Sequence, residues 1–393
     1  MNKNNETMRN CVISAVGRSS LHREWMRGGC HFDLHLLVYD DSYGEFVNDT
    51  PFVCRMKGYK LKLVYQYILS NPEVLENYEY FFIPDDDISM DSDKINALFG
   101  MMRHYGLQIA QPSLVNSYYL WGHTLRDPYC VLRCTNFVEM MVPCFSREAL
   151  GKILFTFGEN ETGWGTETHW PFLIDAGRKD MAIIDSVFVV HTRPIQSGQA
   201  VHRREAMEYL GKYGLVTQVV EYGYVPIGGS EAYLLKRETY RRMVSILKVS
   251  LPRVFKSESL GMDGYGGYAW LLYGLGLVTQ SRVYADMAER MLGQTVGYWK
   301  GSSFEGRALA EEYLEKSSSD MERYLDTCLS ANGCVAPLAK AYRAYKKYRE
   351  THEESSLLEL EKDLQQIQDM ALAFEDQLML AYMLVNNQIE KDA

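Results

Sequence analysis

Tyr78-Glu79-Tyr80-Phe81-Phe82-Ile83-Pro84-Asp85-Asp86-Asp87 runs from an apolar stretch through a proline straight into three carboxylates. Residues 80–83 read as a short buried strand. Where a strand of an α/β sheet ends, the chain leaves into the crevice in which such folds bind ligands. Alternation along extended backbone sends Asp85 and Asp87 one way and Asp86 the other. Three adjacent carboxylates repel one another unless something neutralises them, so two can share a divalent cation while the third binds a donor hydroxyl or packs locally. Oxygen ligands suit Mg²⁺ or Mn²⁺, and such an ion bridges a diphosphate. An acidic surface turn is the alternative, and the apolar strand just before the triplet speaks for the ligand site.

The flanking sequence supplies the rest of a sheet. Residues 11–16 form an apolar strand ending in the turn cluster Gly17-Arg18-Ser19-Ser20, with a helix following through Trp25. Residues 34–39 form a second strand ending at Asp40-Asp41-Ser42. Residues 59–70 have helical spacing, with Leu61, Val64, Tyr65 and Ile68 on one side, until Asn71-Pro72 stops them. Ser92–Tyr105 is a further helix, and residues 183–190 are a late apolar strand ending at His191. Strands alternating with helices over the first 195 residues describe a sheet covered by helices.

Two further clusters carry chemistry. His191 closes an apolar strand and precedes Thr192-Arg193-Pro194. A lone histidine is usually structural, but an imidazole added to two carboxylates completes a metal shell and tilts preference toward Mn²⁺. Arg193 beside it is suited to steady phosphate oxygens. Gly163-Trp164-Gly165-Thr166-Glu167-Thr168-His169-Trp170 is a glycine-flanked loop of indoles, a carboxylate and an imidazole. Sugar faces stack on aromatic rings and a carboxylate accepts a hydroxyl proton, so Trp164, His169 and Trp170 read as an acceptor site with Glu167 as candidate general base. A tight turn packed by tryptophan is the competing reading.

Composition bounds the function. The chain has 393 residues, 47% apolar and 23% charged, which is room for two domains and too polar for a membrane protein. Twelve per cent aromatics, with 28 tyrosines, exclude a solvated disordered chain. A net charge of −10 excludes a generic nucleic-acid binder. Residues 1–10 lack the apolar run of a secretory signal and no stretch reaches ~18 consecutive apolar residues, so a cytoplasmic protein is expected. The eight cysteines form no Cys-x-x-Cys and read as reduced thiols; a zinc site at Cys130 and Cys134 lacks two further ligands at finger-like spacing.

The character changes after Pro194. Residues 200–256 hold ten Lys/Arg against five Asp/Glu, a basic face suited either to the inner surface of an anionic membrane or to pairing with acidic helices. A helical region follows from 257, opening on Gly264-Tyr265-Gly266-Gly267-Tyr268-Ala269-Trp270. Leu357, Leu360, Leu364, Ile367, Ala371, Phe374, Leu378, Ala381 and Val385 step by three and four. That seam fits an antiparallel hairpin with the basic helix of Lys340, Arg343, Lys346 and Lys347, or a homodimer. The expected division is therefore 1–198 for the α/β domain, 199–256 for a basic connection and 257–393 for a helical domain.

Together these motifs resemble GT-A-type nucleotide-sugar glycosyltransferases, and more closely the glycosyltransferase-like family called domain of unknown function 707. The matching stretches are residues 78–87, Tyr105-Gly106-Leu107-Gln108-Ile109-Ala110-Gln111-Pro112-Ser113, residues 135–146, the Gly163-Trp164-Gly165 loop, and residues 184–194. They span roughly residues 8 to 198. The resemblance implies a mixed central sheet flanked by helices and an Asp-x-Asp motif in which Asp85 and Asp87 hold Mn²⁺ or Mg²⁺ and the donor diphosphate, with His191 as a later metal ligand. It implies that Gly17 and Arg18 lie under the nucleotide and that Glu139 and Glu167 face the transferred sugar and the acceptor. The family pattern carries Asp in the Gly-Trp-Gly loop where this chain has Glu167, so the carboxylate persists with one more methylene of reach.

The expected function is metal-dependent transfer of a sugar from a nucleoside diphosphate donor to a hydroxyl on a carbohydrate or lipid-linked acceptor, as in surface polysaccharide or glycoconjugate synthesis. Two other classes compete: a non-catalytic binding or scaffold protein that kept the fold, and a metal-dependent phosphohydrolase or nucleotidyltransferase.

Overall fold

The computed structural model describes residues 10–115, 123–193 and 199–228, with scattered positions between 237 and 362. The chain divides into two compact units, Met1–Gly228 and Gly229–Ala393.

The first unit is built on ten strands: β1 (Asn10–Val16), β2 (Asp33–Val38), β3 (Phe52–Arg55), β4 (Tyr80–Phe82), β5 (Ile88–Ser89), β6 (Ile109–Leu114), β7 (Cys130–Thr135), β8 (Cys144–Ser146), β9 (Met181–His191) and β10 (Glu221–Pro226). Between them lie α1 (His22–Trp25), α2 (Tyr43–Phe46), α3 (Lys60–Ser70), α4 (Glu73–Asn77), α5 (Ser92–Tyr105), α6 (Arg147–Ile153), α7 (Trp170–Leu173) and α8 (Gln199–Tyr213). The sheet order is β10-β7-β9-β6-β8-β4-β1-β2-β3, with β5 paired to β9 off that path.

Neighbours β3, β2, β1 and β4 are parallel, and the inner strands β1 and β2 are buried along nearly their whole length, as parallel strands covered on both faces are. All seven residues of β1 are buried, and alternation divides them. Val12 and Val16 enter one core with Trp25, Phe46 and the α5 residues Ile95, Leu98, Phe99 and Met102. Cys11, Ile13 and Ala15 enter the other with Leu61, Val64 and Ile68 of α3, Leu150 and Ile153 of α6, and Trp170. Helix α5 is closed at both ends by local chemistry. The Asp91 carboxylate accepts from Lys94 N–H, and Gly106 takes the left-handed conformation that ends it.

The mixed α/β sheet expected from the sequence is thus present, and α5 has the expected bounds. Helix α8 and strand β10 belong to the first unit, so the basic stretch expected as a connection from 199 begins inside that unit, and β10 pairs with β7 at the sheet edge. In the second unit the glycine-aromatic opening at 264–270 and most of the seam from Leu357 to Val385 lie outside the described residues. Of that seam Leu360 is described, helical and buried. Among the described residues no helix is long and apolar enough to cross a membrane.

Candidate functional site

Strands β1, β2 and β4 run in one direction, and their carboxyl ends deliver Gly17, Tyr39 and the Asp85-Asp86-Asp87 turn to one edge of the sheet. Strand β8 is antiparallel to both β4 and β6, and β6 is parallel to β9, so β9 also ends on that edge, at His191. The chain after Asp87 then turns into β5, which pairs antiparallel with the end of β9 so that Ile88 faces His191. The Asp87 carbonyl accepts from Thr192 N–H at 3.1 Å and from the Thr192 hydroxyl at 2.8 Å.

This clamp brings Asp85, Asp87 and His191 together, with one ligand atom from each within 4.8 Å of the others. It is the group of this kind found among the described residues, and none forms at Cys130 and Cys134. The His191 Nε2 atom lies 3.3 Å from Asp87 Oδ2. Asp87 Oδ1 is buried with no hydrogen-bond partner. Burial pushes the Asp87 carboxyl above its usual range, opposed by the nearby His191 and Arg193 and helped by Asp85 and Asp86. Two carboxylate oxygens and an imidazole nitrogen, one oxygen orphaned, fit a hard divalent cation. Two cations of the protein share these ligands. Lys60 Nζ is 2.5 Å from Asp85 Oδ1, and Arg193 Nε is 3.4 Å from Asp87 Oδ2.

Asp86 turns the other way, as alternation requires. Its Oδ2 accepts from Gly17 N–H at 2.9 Å and from the Tyr39 hydroxyl at 3.1 Å, and its Oδ1 accepts from Arg193 at 2.8 Å. Burial still holds its carboxyl above the usual range. Gly17 is required by close approach, since a Cβ there would stand 2.5 Å from the Tyr39 hydroxyl.

The cleft above this edge holds about 470 Å³ and is lined by Tyr39, Lys60, all three aspartates, His191 and Arg193 together with Glu139 and Glu167. The carboxyl end of each glutamate is buried and leaves Oε2 without a hydrogen-bond partner. Burial raises Glu139 to about 8, with Glu167 and Asp85 adding to the rise and Lys60 opposing it. Burial likewise raises Glu167 to about 7, against backbone N–H donors that favour the anion. Asp85 and Glu167 thus both act on the charge of Glu139. Its backbone N–H donates to Gln111 Oε1 at 2.6 Å, which fixes the segment.

The sequence missed Lys60 and Tyr39. Lys60 Nζ also donates to the carbonyls of Met140 (2.5 Å), Met141 (3.1 Å) and Ile83 (3.3 Å), tying the aspartate turn to the Glu139 segment. One signal was available: Lys60 is the first residue of α3, where the helix dipole disfavours a cation.

Three expected site residues are corrected. Trp170 is fully buried in the core, edge-on to Phe145, with its indole N–H directed to Thr156 Oγ1. His169 bonds the Tyr209 hydroxyl at 2.9 Å and packs against Tyr213, outside the cleft lining. The Arg18 side chain is exposed and pairs with Glu45, while its backbone N–H caps Asp40. Trp164 does line the cleft.

Residues 59–128 and 127–213 match the family described as protein of unknown function (DUF707), the family that the motifs resemble. No curated protein matches. Solved structures similar to the chain include A197 from STIV, at 15% identity and a TM-score of 0.25, covering 47% of this chain and 85% of that one. They also include S. aureus TarS, at 8% identity and a TM-score of 0.35, covering 79% of this chain and 54% of that one.

Proposed function

We propose that the chain is a metal-dependent glycosyltransferase, moving a sugar from a nucleoside diphosphate donor to a hydroxyl acceptor. One observation carries the reading: a ligand set for a hard cation and two buried carboxylates of raised pKa share a single cleft at the carboxyl ends of parallel strands. Asp85, Asp87 and His191 would hold Mn²⁺ or Mg²⁺, which when bound neutralises charge on the departing diphosphate. Arg193, braced by Asp86, directs its guanidinium to the same place and suits phosphate oxygens. Asp86 is committed to Gly17, Tyr39 and Arg193, so its work is to build the floor of the donor site. Glu167 is the general base for an inverting transfer, because a base is most effective when its pKa lies near the working pH. Glu139, higher still, keeps its proton at neutral pH and is free to donate it in a hydrogen bond to a bound substrate. A retaining transfer needs no such base.

The pairing of Lys60 with Asp85 and of Arg193 with Asp87 favours a second reading, a binding protein whose aspartates the protein itself neutralises. A thermal-shift screen of nucleoside diphosphates and their sugars, with and without Mn²⁺, separates the two. The transferase reading expects a rise in melting temperature with one nucleotide that requires Mn²⁺ and vanishes in the Asp85→Asn, Asp87→Asn double variant. A rise independent of metal, or none with folded protein, overturns it. Diphosphate release without acceptor would mark a phosphohydrolase or nucleotidyltransferase instead.

A further inference from the structure

The cleft lining holds a charged group and an aromatic group. Tyr39, Asp86 and Arg193 form the first. The second is Tyr59, Trp164 and His202, contributed by the residue before α3, the Gly163-Trp164-Gly165 loop and the first turn of α8. Their rings meet: His202 lies 5.1 Å from Trp164, tilted by 45°, and 5.8 Å from Tyr59, nearly perpendicular. Tyr59 is 48% exposed, so its ring is open to a ligand in the cleft. His202 Nδ1 is buried with no hydrogen-bond partner.

Two contacts join the tryptophan loop to the helix that carries His202. Glu205 of α8 accepts from Thr162 N–H at 2.9 Å, and Gly165, at φ +90°, lets the Ala206 backbone approach to 3.1 Å of where a Cβ would stand. Helix α8 is thereby locked onto the tryptophan loop. Trp164 stands three residues before Glu167, and both line the same cleft.

We propose that Tyr59, Trp164 and His202 form a subsite for a pyranose ring, and that the acceptor is a carbohydrate. Resting on the transferase reading, this replaces the expected trio of Trp164, His169 and Trp170. Flat aromatic surfaces at differing angles cover the two faces of a sugar ring, and the orphaned imidazole nitrogen takes up one of its hydroxyls. A nucleobase is the competing occupant of such rings, and nucleoside controls read it. A polyprenyl chain is disfavoured because it leaves the buried imidazole nitrogen unpaired.

The test is saturation-transfer NMR and calorimetry on the full chain with methyl glycosides of common pyranoses and their disaccharides, with and without Mn²⁺ and nucleoside diphosphates. Nucleosides and a short-chain prenyl phosphate serve as controls. Binding of at least one glycoside is expected, weakened about tenfold by Trp164→Ala and by Tyr59→Ala and restored by Trp164→Phe. His202→Ala should weaken it and alter which glycosides bind. The Asp85→Asn, Asp87→Asn double variant should keep glycoside binding while losing nucleotide binding, whereas a folded wild type that binds glycoside but no nucleotide would sink the transferase reading alone. No glycoside binding in any condition, insensitivity to the Trp164 and Tyr59 variants, or preferential binding of nucleoside or prenyl phosphate at the trio would overturn the subsite.

Discussion

In the half of the sheet formed by β3, β2, β1 and β4 every neighbouring pair is parallel, whereas from β4 through β8, β6, β9, β7 and β10 all but one pair is antiparallel. The parallel half reaches the cleft directly: its strands end and the next residues, Gly17, Tyr39 and the aspartates, are already there. The other half must carry His191 to the same edge on one long strand. Between Pro112 and Ser113 of β6 the partner in β9 jumps from Ile184 to Phe188, so Asp185, Ser186 and Val187 are extra residues in β9. That irregularity is anchored by buried Asp185, which meets Arg133 through two contacts of 2.8 and 3.0 Å and accepts from Asp127 N–H at 2.8 Å. One half obtains its site residues from topology alone, and the other from topology plus a buried ion pair.

Breaking that ion pair is the largest perturbation the comparison offers. Arg133→Leu leaves Asp185 buried without its cation and should cost about 3–5 kcal/mol of unit stability. Arg133 also donates to the carbonyls of His123 and Leu125, so the loop it holds would loosen as well. The double variant Arg133→Leu, Asp185→Leu should recover part of the loss, since the unpaired charge is the expensive element. Burial, outweighing Arg133, already raises Asp185 to about 6, above its ordinary 3.8. Its ionisation therefore opposes folding: the cost is absent below about pH 4 and complete above about 6. The single variant should accordingly regain stability on acidification, read by denaturant melts from pH 4 to 8. Equal loss in single and double variants would show that the anchor is not electrostatic.

A smaller change tests the clamp itself. Thr192→Val removes the hydroxyl bond to the Asp87 carbonyl and keeps the backbone bond. If the join between β5 and β9 orients His191 and Asp87, Mn²⁺ affinity should fall about tenfold with the melting temperature of the metal-free protein unchanged. Electron paramagnetic resonance titration of free Mn²⁺ reads this. An unchanged affinity would mean that the strands alone suffice.

The parallel half was the legible one. Strands β1, β2 and β4 announce themselves as apolar runs broken by turn residues, and a carboxylate cluster after such a run has few structural uses. His191 was legible for the same reason, standing at the end of an apolar strand. What escaped is chemistry delivered across the fold. Tyr59, Lys60 and His202 are distant in sequence from Asp85 and Glu167, and apart from the misplaced cation at Lys60 they read locally as ordinary residues at helix starts. Trp170 and His169 were misplaced because an aromatic loop has the same sequence signature whether its rings face a core or a cleft. Strands β3, β8 and β10 are short or lie at the sheet edge, so their pattern carries little periodic signal.

The mildest prediction asks what the cleft costs the fold. Glu139 is held near 8 against an ordinary 4.5, so the native state keeps a proton that the unfolded chain releases. Stability from this group is full below about pH 4.5 and declines as pH rises through 8. Glu139→Gln removes the titration while keeping the shape, so wild type and variant should melt together near pH 5. By pH 8 the variant should melt higher, at about 2–4 °C for each kcal/mol relieved in a unit of this size. Transfer activity should fall in the same variant if the carboxyl works on the substrate, which is the pattern of a residue retained for function at the expense of stability. Coincident melts at pH 8 would mean that water or Lys60 already satisfies the carboxylate, and would bring Glu139 back among the cleft's ordinary surface groups.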